Sequence, residues 1–169
     1  MYKLAVLFFA LFLSLSAQAQ RKVSLITGDI GGSTGNNNGN TYQEVHLGVN
    51  LNFTDWLTWR NAGFQRTGSK IKEVTGLDSS LRLVLRTQFQ GGGGANFFLG
   101  PGYRWTSISE YNAATAEAGL GFNYGGFGMS AGAKYLKYDK PRVNSDGEAL
   151  KDEDVNYFVS ISGNTSFGK

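Results

Sequence analysis

The chain lacks cysteine altogether and has only two prolines among its 169 residues. A small secreted domain normally offsets its limited core with disulfide bonds, and the lack of cysteine excludes that source of stability. Another source is therefore needed, and a closed sheet embedded in a membrane is one. The chain also lacks a strong charge, because its formal net charge is only +3. No cluster of lysine and arginine alternates with aromatic residues, which argues against a nucleic-acid-binding surface.

A hydrophobic run long enough for a membrane-spanning helix is missing as well. The one long apolar run, residues 4–15, has about twelve residues, whereas a spanning helix needs roughly twenty. Lys3 precedes this run, and Ala17-Gln18-Ala19 follows it with small residues at the two positions that a signal peptidase reads. We therefore expect residues 1–19 to be a cleaved signal peptide rather than a membrane anchor. Residues 20–169 then form a single domain.

The sequence does contain a repeated alternation of apolar and polar residues, which is clearest in residues 44–53. A period of two places every second side chain on the same face of an extended strand. One face is wholly apolar and comprises Val45, Leu47, Val49, Leu51 and Phe53. The opposite face comprises Glu44, His46, Gly48, Asn50 and Asn52. Such an apolar face fits either a protein core or a lipid bilayer.

Similar segments along the chain predict eight strands. They cover residues 22–30, 41–53, 57–67, 77–89, 95–106, 113–124, 127–138 and 155–167. Gly125-Gly126 predicts a tight hairpin, and Pro101 predicts a bulge or a local break in the fifth strand. The connections after the odd-numbered strands are longer and cover residues 31–40, 68–76, 107–112 and 139–154. In an up-and-down sheet these four loops lie at one end, as in outer-membrane barrels.

The first of these loops, residues 31–40, contains only glycine, asparagine, serine and threonine. This composition is typical of a flexible linker, and we expect a flexible loop here.

The alternating strands are compatible with two barrel architectures of opposite polarity. A soluble lipocalin-like barrel points its apolar face inward, whereas a transmembrane barrel points that face outward. The apolar face carries almost no charge, as a bilayer requires, because lysine or arginine at the midplane costs about 2–4 kcal/mol. The opposite face is rich in small polar residues with a few charged ones, which suits a narrow interior. We therefore predict an all-β, eight-stranded antiparallel up-and-down transmembrane β-barrel.

Aromatic residues near the strand ends agree with this choice, because tyrosine and tryptophan gather at the two membrane interfaces. Toward the loop end, the predicted girdle consists of Tyr42, Trp105, Tyr135 and Tyr157.

The signal-peptide pattern, the eight alternating segments, the glycine-rich turns and a last strand that ends near Phe167 resemble a known family. They are similar to the small outer-membrane barrels of Gram-negative bacteria, the OmpA/OmpX/opacity-type group. The resemblance covers residues 20–169. It implies a monomer in the cell outer membrane, contact with outer-membrane lipid and lipopolysaccharide, and insertion by the barrel-assembly machinery. The terminal aromatic residue usual in this group is approximated by Phe167, although Gly168-Lys169 follow it.

Charged residues on the polar faces are expected to share the lumen. They are Glu44, His46, Arg60, Arg82, Arg86, Arg104, Glu117 and Lys134. Buried charges are costly unless they are paired. Five cations that face two carboxylates therefore predict that each glutamate serves more than one arginine. We expect a structural plug, because an eight-stranded interior is only wide enough for side chains. The alternative is a narrow channel for small solutes or ions.

The sequence offers no strong pattern for catalysis, for a metal or for a cofactor. His46 is the only histidine, and no serine lies at a useful spacing from it, which argues against a lipid A-modifying enzyme. The segment around Gly147 lacks the full calcium-loop pattern. Near the last loop, Lys137, Lys140 and Arg142 are candidates for contact with lipopolysaccharide phosphates. We therefore predict a non-enzymatic protein with a structural role or a surface role, such as adhesion to an extracellular ligand.

Overall fold

Residues 24–163 form a closed antiparallel β-barrel in the computed structural model, which describes this part of the chain. The predicted signal peptide and Phe167 lie outside the described residues. The strands are β1 (Ile26–Asn37), β2 (Asn40–Asn52), β3 (Leu57–Gly68), β4 (Val74–Gln88), β5 (Gly93–Thr106), β6 (Ala113–Tyr124), β7 (Phe127–Tyr138) and β8 (Glu153–Gly163). A short 3₁₀ helix (Ser109–Tyr111) precedes β6. None of the helices among the described residues is long and apolar enough to cross a membrane.

Each strand pairs with its neighbour in sequence, and β1 closes the barrel against β8 with Ile30 opposite Ile161. The predicted up-and-down fold class is therefore confirmed. Closure leaves no sheet edge unpaired, so the backbone groups of the strands bond to one another without help from solvent.

The barrel has apolar residues outside and polar residues inside. On β2, Leu47 is 69% exposed on the outer face, whereas Glu44 is 5% exposed in the lumen. The outer surface carries a continuous set of large exposed hydrophobic side chains, the apolar belt. It includes Ile30, Val45, Leu47, Val49, Leu81, Leu83, Leu99, Leu120, Phe122, Met129, Val159 and Ile161. Soluble proteins rarely expose contiguous apolar patches of this extent, so the lipocalin-like alternative does not fit this barrel.

The prediction of a flexible first loop at residues 31–40 is wrong. β1 continues to Asn37, and a two-residue turn connects it to β2. The turn residues Asn38 and Gly39 have φ angles of 53° and 80°, which is the conformation that an Asn-Gly pair favours in a tight hairpin. The second half of β1 is made of small polar residues, so neither hydrophobicity nor alternation marked it as a strand.

The other connections follow the predicted arrangement. Short turns at residues 53–56, 89–92 and 125–126 lie at one end, the turn end. The opposite end, the loop end, has the hairpin turn of β1 and β2 and the longer connections at residues 69–73, 107–112 and 139–152. Gly125 and Gly126 both have positive φ angles, as the predicted hairpin requires. At Pro101 the pairing of β5 with β4 is interrupted without a change of register, while its pairing with Ala116 of β6 continues.

The longest connection, residues 139–152, folds over the loop end. An antiparallel bridge joins Val143 to Ala149, and Leu150 packs into the barrel mouth against Tyr42 and Ile71. Below it lies an apolar cluster made of Val74, Tyr111, Ala113, Leu136 and Tyr138. The loop end is therefore closed by a packed cap rather than open to solvent.

The prediction that Tyr42 belongs to the aromatic girdle on the outer face is wrong. Its side chain is 1% exposed and lies inside the barrel, where its hydroxyl donates to Asp154 Oδ2 at 2.5 Å. The reason is strand parity, because Tyr42 is two residues before Glu44 and must share its inward face. Trp105, Tyr135 and Tyr157 are exposed on the outer face, as predicted.

Candidate functional site in the barrel lumen

A buried glutamate on β2 is the centre of the lumen network. Glu44 accepts hydrogen bonds from Arg66 Nε at 2.7 Å and from Arg104 Nη1 and Nη2 at 2.7 and 3.1 Å. Asn156 Nδ2 and Ser33 Oγ donate to the same carboxylate at 2.9 and 3.1 Å. One carboxylate thus joins β1, β2, β3, β5 and β8 across the interior.

Arg104 extends this network to a second carboxylate. Its Nε and Nη2 donate to Asp78 at 2.7 and 2.8 Å, and Lys134 Nζ donates to Asp78 Oδ2 at 2.6 Å. The Arg104 guanidinium also lies over the Phe64 ring, with 3.9 Å between the carbon Cζ and the ring centroid. Arg104 is 1% exposed, so its charge is neutralised by two carboxylates in a site without bulk water.

Two further pairs lie nearer the turn end. Arg82 Nε and Nη2 donate to Glu117 at 2.8 and 3.0 Å, and Ser80 Oγ donates to the same carboxylate. Arg60 Nη2 and Nε donate to Asp29 at 2.6 and 3.1 Å. Both pairs are bidentate, which is the geometry that a planar guanidinium fork favours.

His46 lies beside the Asp29 pair. Its Nε2 is 3.8 Å from Asp29 Oδ1 and has no hydrogen-bond partner among the described residues. A small cavity of about 10 Å³ adjoins the imidazole and reaches the ion pairs on both sides. No hydroxyl group of the described residues bonds to His46, so no Ser–His pair is formed among them.

The lumen charges predicted from the sequence are largely brought together. Seven of the eight, all except Arg86, lie within the ion-pair network or directly beside it. They are Glu44, His46, Arg60, Arg82, Arg104, Glu117 and Lys134. Arg86 lies apart at the turn end, where its Nε donates to the backbone carbonyl of Asp55 at 2.9 Å.

Three members of the network were absent from the prediction. Asp29, Asp78 and Arg66 supply two more carboxylates and one more cation. The expected ratio of five cations to two carboxylates is therefore wrong, and among the carboxylates of the described residues only Glu44 serves two arginines. Parity could have found Asp78 and Arg66, which share the inward faces of Arg82 and Arg60. Asp29 was hidden because the weak pattern of β1 did not show which of its faces points inward.

The cap at the loop end holds a further buried cation. The Arg142 guanidinium lies over the Tyr138 ring, 3.2 Å from its centroid, and Nη2 donates to the carbonyl oxygen of Lys151 at 2.5 Å. Burial lowers the pKa of Arg142 below its usual value. Of the three candidates for lipopolysaccharide contact, Arg142 therefore points into the cap, while Lys137 and Lys140 are exposed.

The asparagine-rich end of the cap forms a turn. Asn144 Oδ1 accepts hydrogen bonds from the backbone N–H groups of Asp146 and Glu148, both at 2.9 Å. The Asp146 carboxylate binds Lys70 at 3.0 Å, and this hydrogen bond and charge raise the pKa of Lys70. Within residues 24–163, no cluster of three histidine, aspartate or glutamate side chains is arranged to hold a metal ion.

Comparisons with known proteins identify the fold but give no information about the functional site. The sequence matches no protein-family model and no curated protein. Among solved structures, the barrel is similar to the outer membrane enzyme PagL, with a TM-score of 0.51 and 13% identity over 79% of this chain and 97% of that chain. The N-terminal β-barrel domain of Pseudomonas aeruginosa OprF has a TM-score of 0.49 and 12% identity, over 81% and 96% of the two chains. The likeness to PagL shows a shared barrel fold, so the predicted resemblance to small outer-membrane barrels is confirmed at the level of fold.

Proposed function

We propose that this chain, which has the fold of small outer-membrane barrels, is an integral outer-membrane protein with a closed, structural lumen. Its role is in membrane integrity or in adhesion through the loop end, and it is not an enzyme. The observation that carries this proposal is the reversed polarity of the barrel. An apolar belt covers the outside, while the ion pairs of Glu44, Asp78 and Arg104 fill the inside.

The belt supports a position within a bilayer. A midplane lysine or arginine on the outer face of such a barrel costs about 2–4 kcal/mol. Among the described strands, that face carries no arginine, and its one lysine, Lys137, lies near the loop end. Two hydroxyl groups near the loop end bond to acids of the outer rim, Tyr135 to Glu153 at 2.6 Å and Tyr103 to Asp139. Aromatic rings with one polar end suit the membrane–water interface.

The lumen supports a structural plug rather than a channel. Glu44, Asp78 and Arg104 link opposite walls of the barrel, and the cap closes the loop end above them. Breaking one partner of such a buried network costs about 3–5 kcal/mol because it leaves an unpaired charge. Opening a water path by separating these pairs is therefore unfavourable, and we expect no steady conductance.

Catalysis is a weaker candidate, although PagL is described as an outer membrane enzyme. His46 faces the lumen, which separates it from lipid substrates outside the barrel. A lipid A-modifying activity of this chain would alter lipopolysaccharide acylation in cells that express it. That alteration would be lost in His46→Ala. We expect no such change, and its appearance would refute the non-enzymatic role.

Orientation and partners follow from the same proposal. The chain is exported by residues 1–19 and inserted by the barrel-assembly machinery as a monomer. The turn end then faces the periplasm and the loop end faces outward. Lys137 and Lys140, which are exposed beside the rim, contact lipopolysaccharide phosphates, whereas Arg142 stabilises the cap.

Membrane insertion is tested with residues 20–169 refolded in detergent and in lipid vesicles. We expect a folded band that shifts in mobility only after boiling and that floats with the vesicles on a density gradient. A chain that stays soluble and monomeric without detergent would overturn the assignment.

The closed lumen is tested by recording from the same preparation in planar bilayers. We expect no steady single-channel current from the folded protein. A steady current that disappears in Arg82→Gln would show that the lumen conducts, and it would overturn the plug.

A further inference from the structure

The lumen is not filled at both ends. At the turn end a cavity of about 370 Å³ opens to solvent and extends inward to Asp29, Arg82 and Ser160. Arg82 lies four residues deeper on β4 than Arg86 at the rim, which corresponds to about 13 Å along the strand. The ion-pair network and the cap close the other end. The cavity is therefore a blind vestibule, and its volume lies in the usual range of ligand pockets, about 300–1,000 Å³.

The charge of the vestibule is uneven. Asp29 is neutralised by Arg60, and Arg82 is neutralised by Glu117. Arg86 also lines the vestibule, but none of the ion pairs among residues 24–163 includes it. Its Nε bonds to the carbonyl of Asp55, and its Nη2 lies 3.4 Å from Asn52 Oδ1. These neutral acceptors orient the guanidinium at the mouth, and the nearby Asp55 carboxylate, beyond ion-pair distance, offsets only part of its charge.

The walls of the vestibule are rich in side chains that are free to bond a solute. Thr27, Asn96, Asn123 and Ser162 all line it, and their side chains have no hydrogen-bond partner among the described residues. They supply both donors and acceptors from β1, β5, β6 and β8. Arrangements of this kind suit a ligand with several hydroxyl groups, because each hydroxyl both donates and accepts.

From this combination we infer that the vestibule binds a small, hydroxyl-rich anion, in the chemical class of sugar acids and sugar phosphates. Arg86 holds the carboxylate or the phosphate, since its planar fork matches either group. The amides and hydroxyls of the wall hold the sugar hydroxyls. The periplasmic location of the site rests on the proposed function, whereas the binding itself needs only the folded barrel.

The test is a titration of the refolded barrel in amine-oxide detergent, which contains neither sugar nor phosphate. Binding of glucuronate, glucose 6-phosphate, glucose and inorganic phosphate is followed by calorimetry and by amide chemical shifts. We expect saturable binding of both sugar anions, with shifts at Asn96 and Asn123. Glucose and inorganic phosphate should each bind at least tenfold more weakly than the sugar anion that contains them.

Variants distinguish the contribution of Arg86 from that of the amide and hydroxyl side chains of the vestibule wall. Arg86→Gln should weaken both sugar anions at least tenfold, Arg86→Lys should weaken them less, and Asn96→Ala should weaken them several-fold. Lys151→Gln is the matched control, because it removes the same charge from the exposed surface at the loop end and should leave binding unchanged. Each variant is first checked for heat-modifiable gel mobility.

Several outcomes would overturn the inference. They are the absence of saturable binding to the folded barrel, unchanged affinity in Arg86→Gln, equal affinity for glucose, and equal affinity for inorganic phosphate. Each of these outcomes is measured on protein already shown to be folded in detergent. A failure of ligand binding is therefore distinguishable from a failure of the chain to insert in a membrane.

Discussion

Arg104 and Glu44 form a two-pronged ion pair across the barrel, with Nη1–Oε1 and Nη2–Oε2 distances of 2.7 and 3.1 Å. The two residues lie on β5 and β2, which are not neighbours in the sheet. The pair therefore ties together walls that the backbone hydrogen bonds do not connect directly. Because the lumen ion pairs join several strands, a substitution that breaks one of them should destabilise the whole barrel.

The Arg104 pair leads to a prediction about stability. Arg104→Met leaves Glu44 and Asp78 short of a buried partner, and we expect a loss of about 3–5 kcal/mol in the free energy of unfolding. The measurement is urea unfolding of the barrel in detergent. Lys137→Met, which removes an exposed charge, is the control and should change stability by less than about 1 kcal/mol. Equal effects of the two substitutions would contradict a structural role of the network.

The apolar belt gives a second prediction. Leu47→Arg places a charge on the outer face of β2, and we expect a loss of about 2–4 kcal/mol if this position lies near the bilayer midplane. Folding into vesicles of defined lipid is the appropriate measurement. Ser145→Arg introduces the same side chain in the exposed cap and should fold like the parent chain. If Leu47→Arg inserts as readily as Ser145→Arg, the belt is not the lipid-facing surface.

The tight turn between β1 and β2 gives a third prediction. Gly39 has a φ angle of 80°, where a side chain is strained, so Gly39→Ala should lower stability by about 1–2 kcal/mol. Gly63→Ala is the matched control, because its φ angle is not positive and a Cβ atom there meets nothing within 4 Å. Urea unfolding distinguishes the two. A neutral Gly39→Ala would favour the flexible loop that the composition suggested.

The cap gives a fourth prediction. Arg142→Ala removes the guanidinium that lies on Tyr138 and bonds to Lys151, so residues 139–152 should become sensitive to trypsin while the strands stay protected. Mass spectrometry of limited digests locates the cuts, which we expect after Lys151, since trypsin does not cleave the Lys140–Pro141 bond. Lys72→Ala, on the neighbouring exposed loop, serves as the control. A cap that resists trypsin in Arg142→Ala would mean that its other contacts hold it without Arg142.

The alternation of residues 44–53 was sufficient to predict β2 and its two faces, and similar alternation predicted most of the other strands. Parity along β2 places Glu44 and His46 inside, and it places Tyr42 there too, because Tyr42 lies two residues before Glu44. Alternation is absent from the end of β1, where small polar residues fill both faces near the turn. There the strand is held by its two neighbours and by the turn geometry of Asn38 and Gly39, which no hydrophobic pattern expresses.

The sequence by itself determined the barrel class and the direction of its faces, because a period of two is a local property of each strand. It could not determine which charges meet. The pairing of Arg104 with Glu44 and Asp78, the lack of a direct ion pair for Arg86 among the described residues, and the folding of the cap over one end all depend on strand stagger around the closed barrel. That stagger brings together residues far apart in the chain, so only the tertiary structure decided that one end of the lumen is plugged and the other is open.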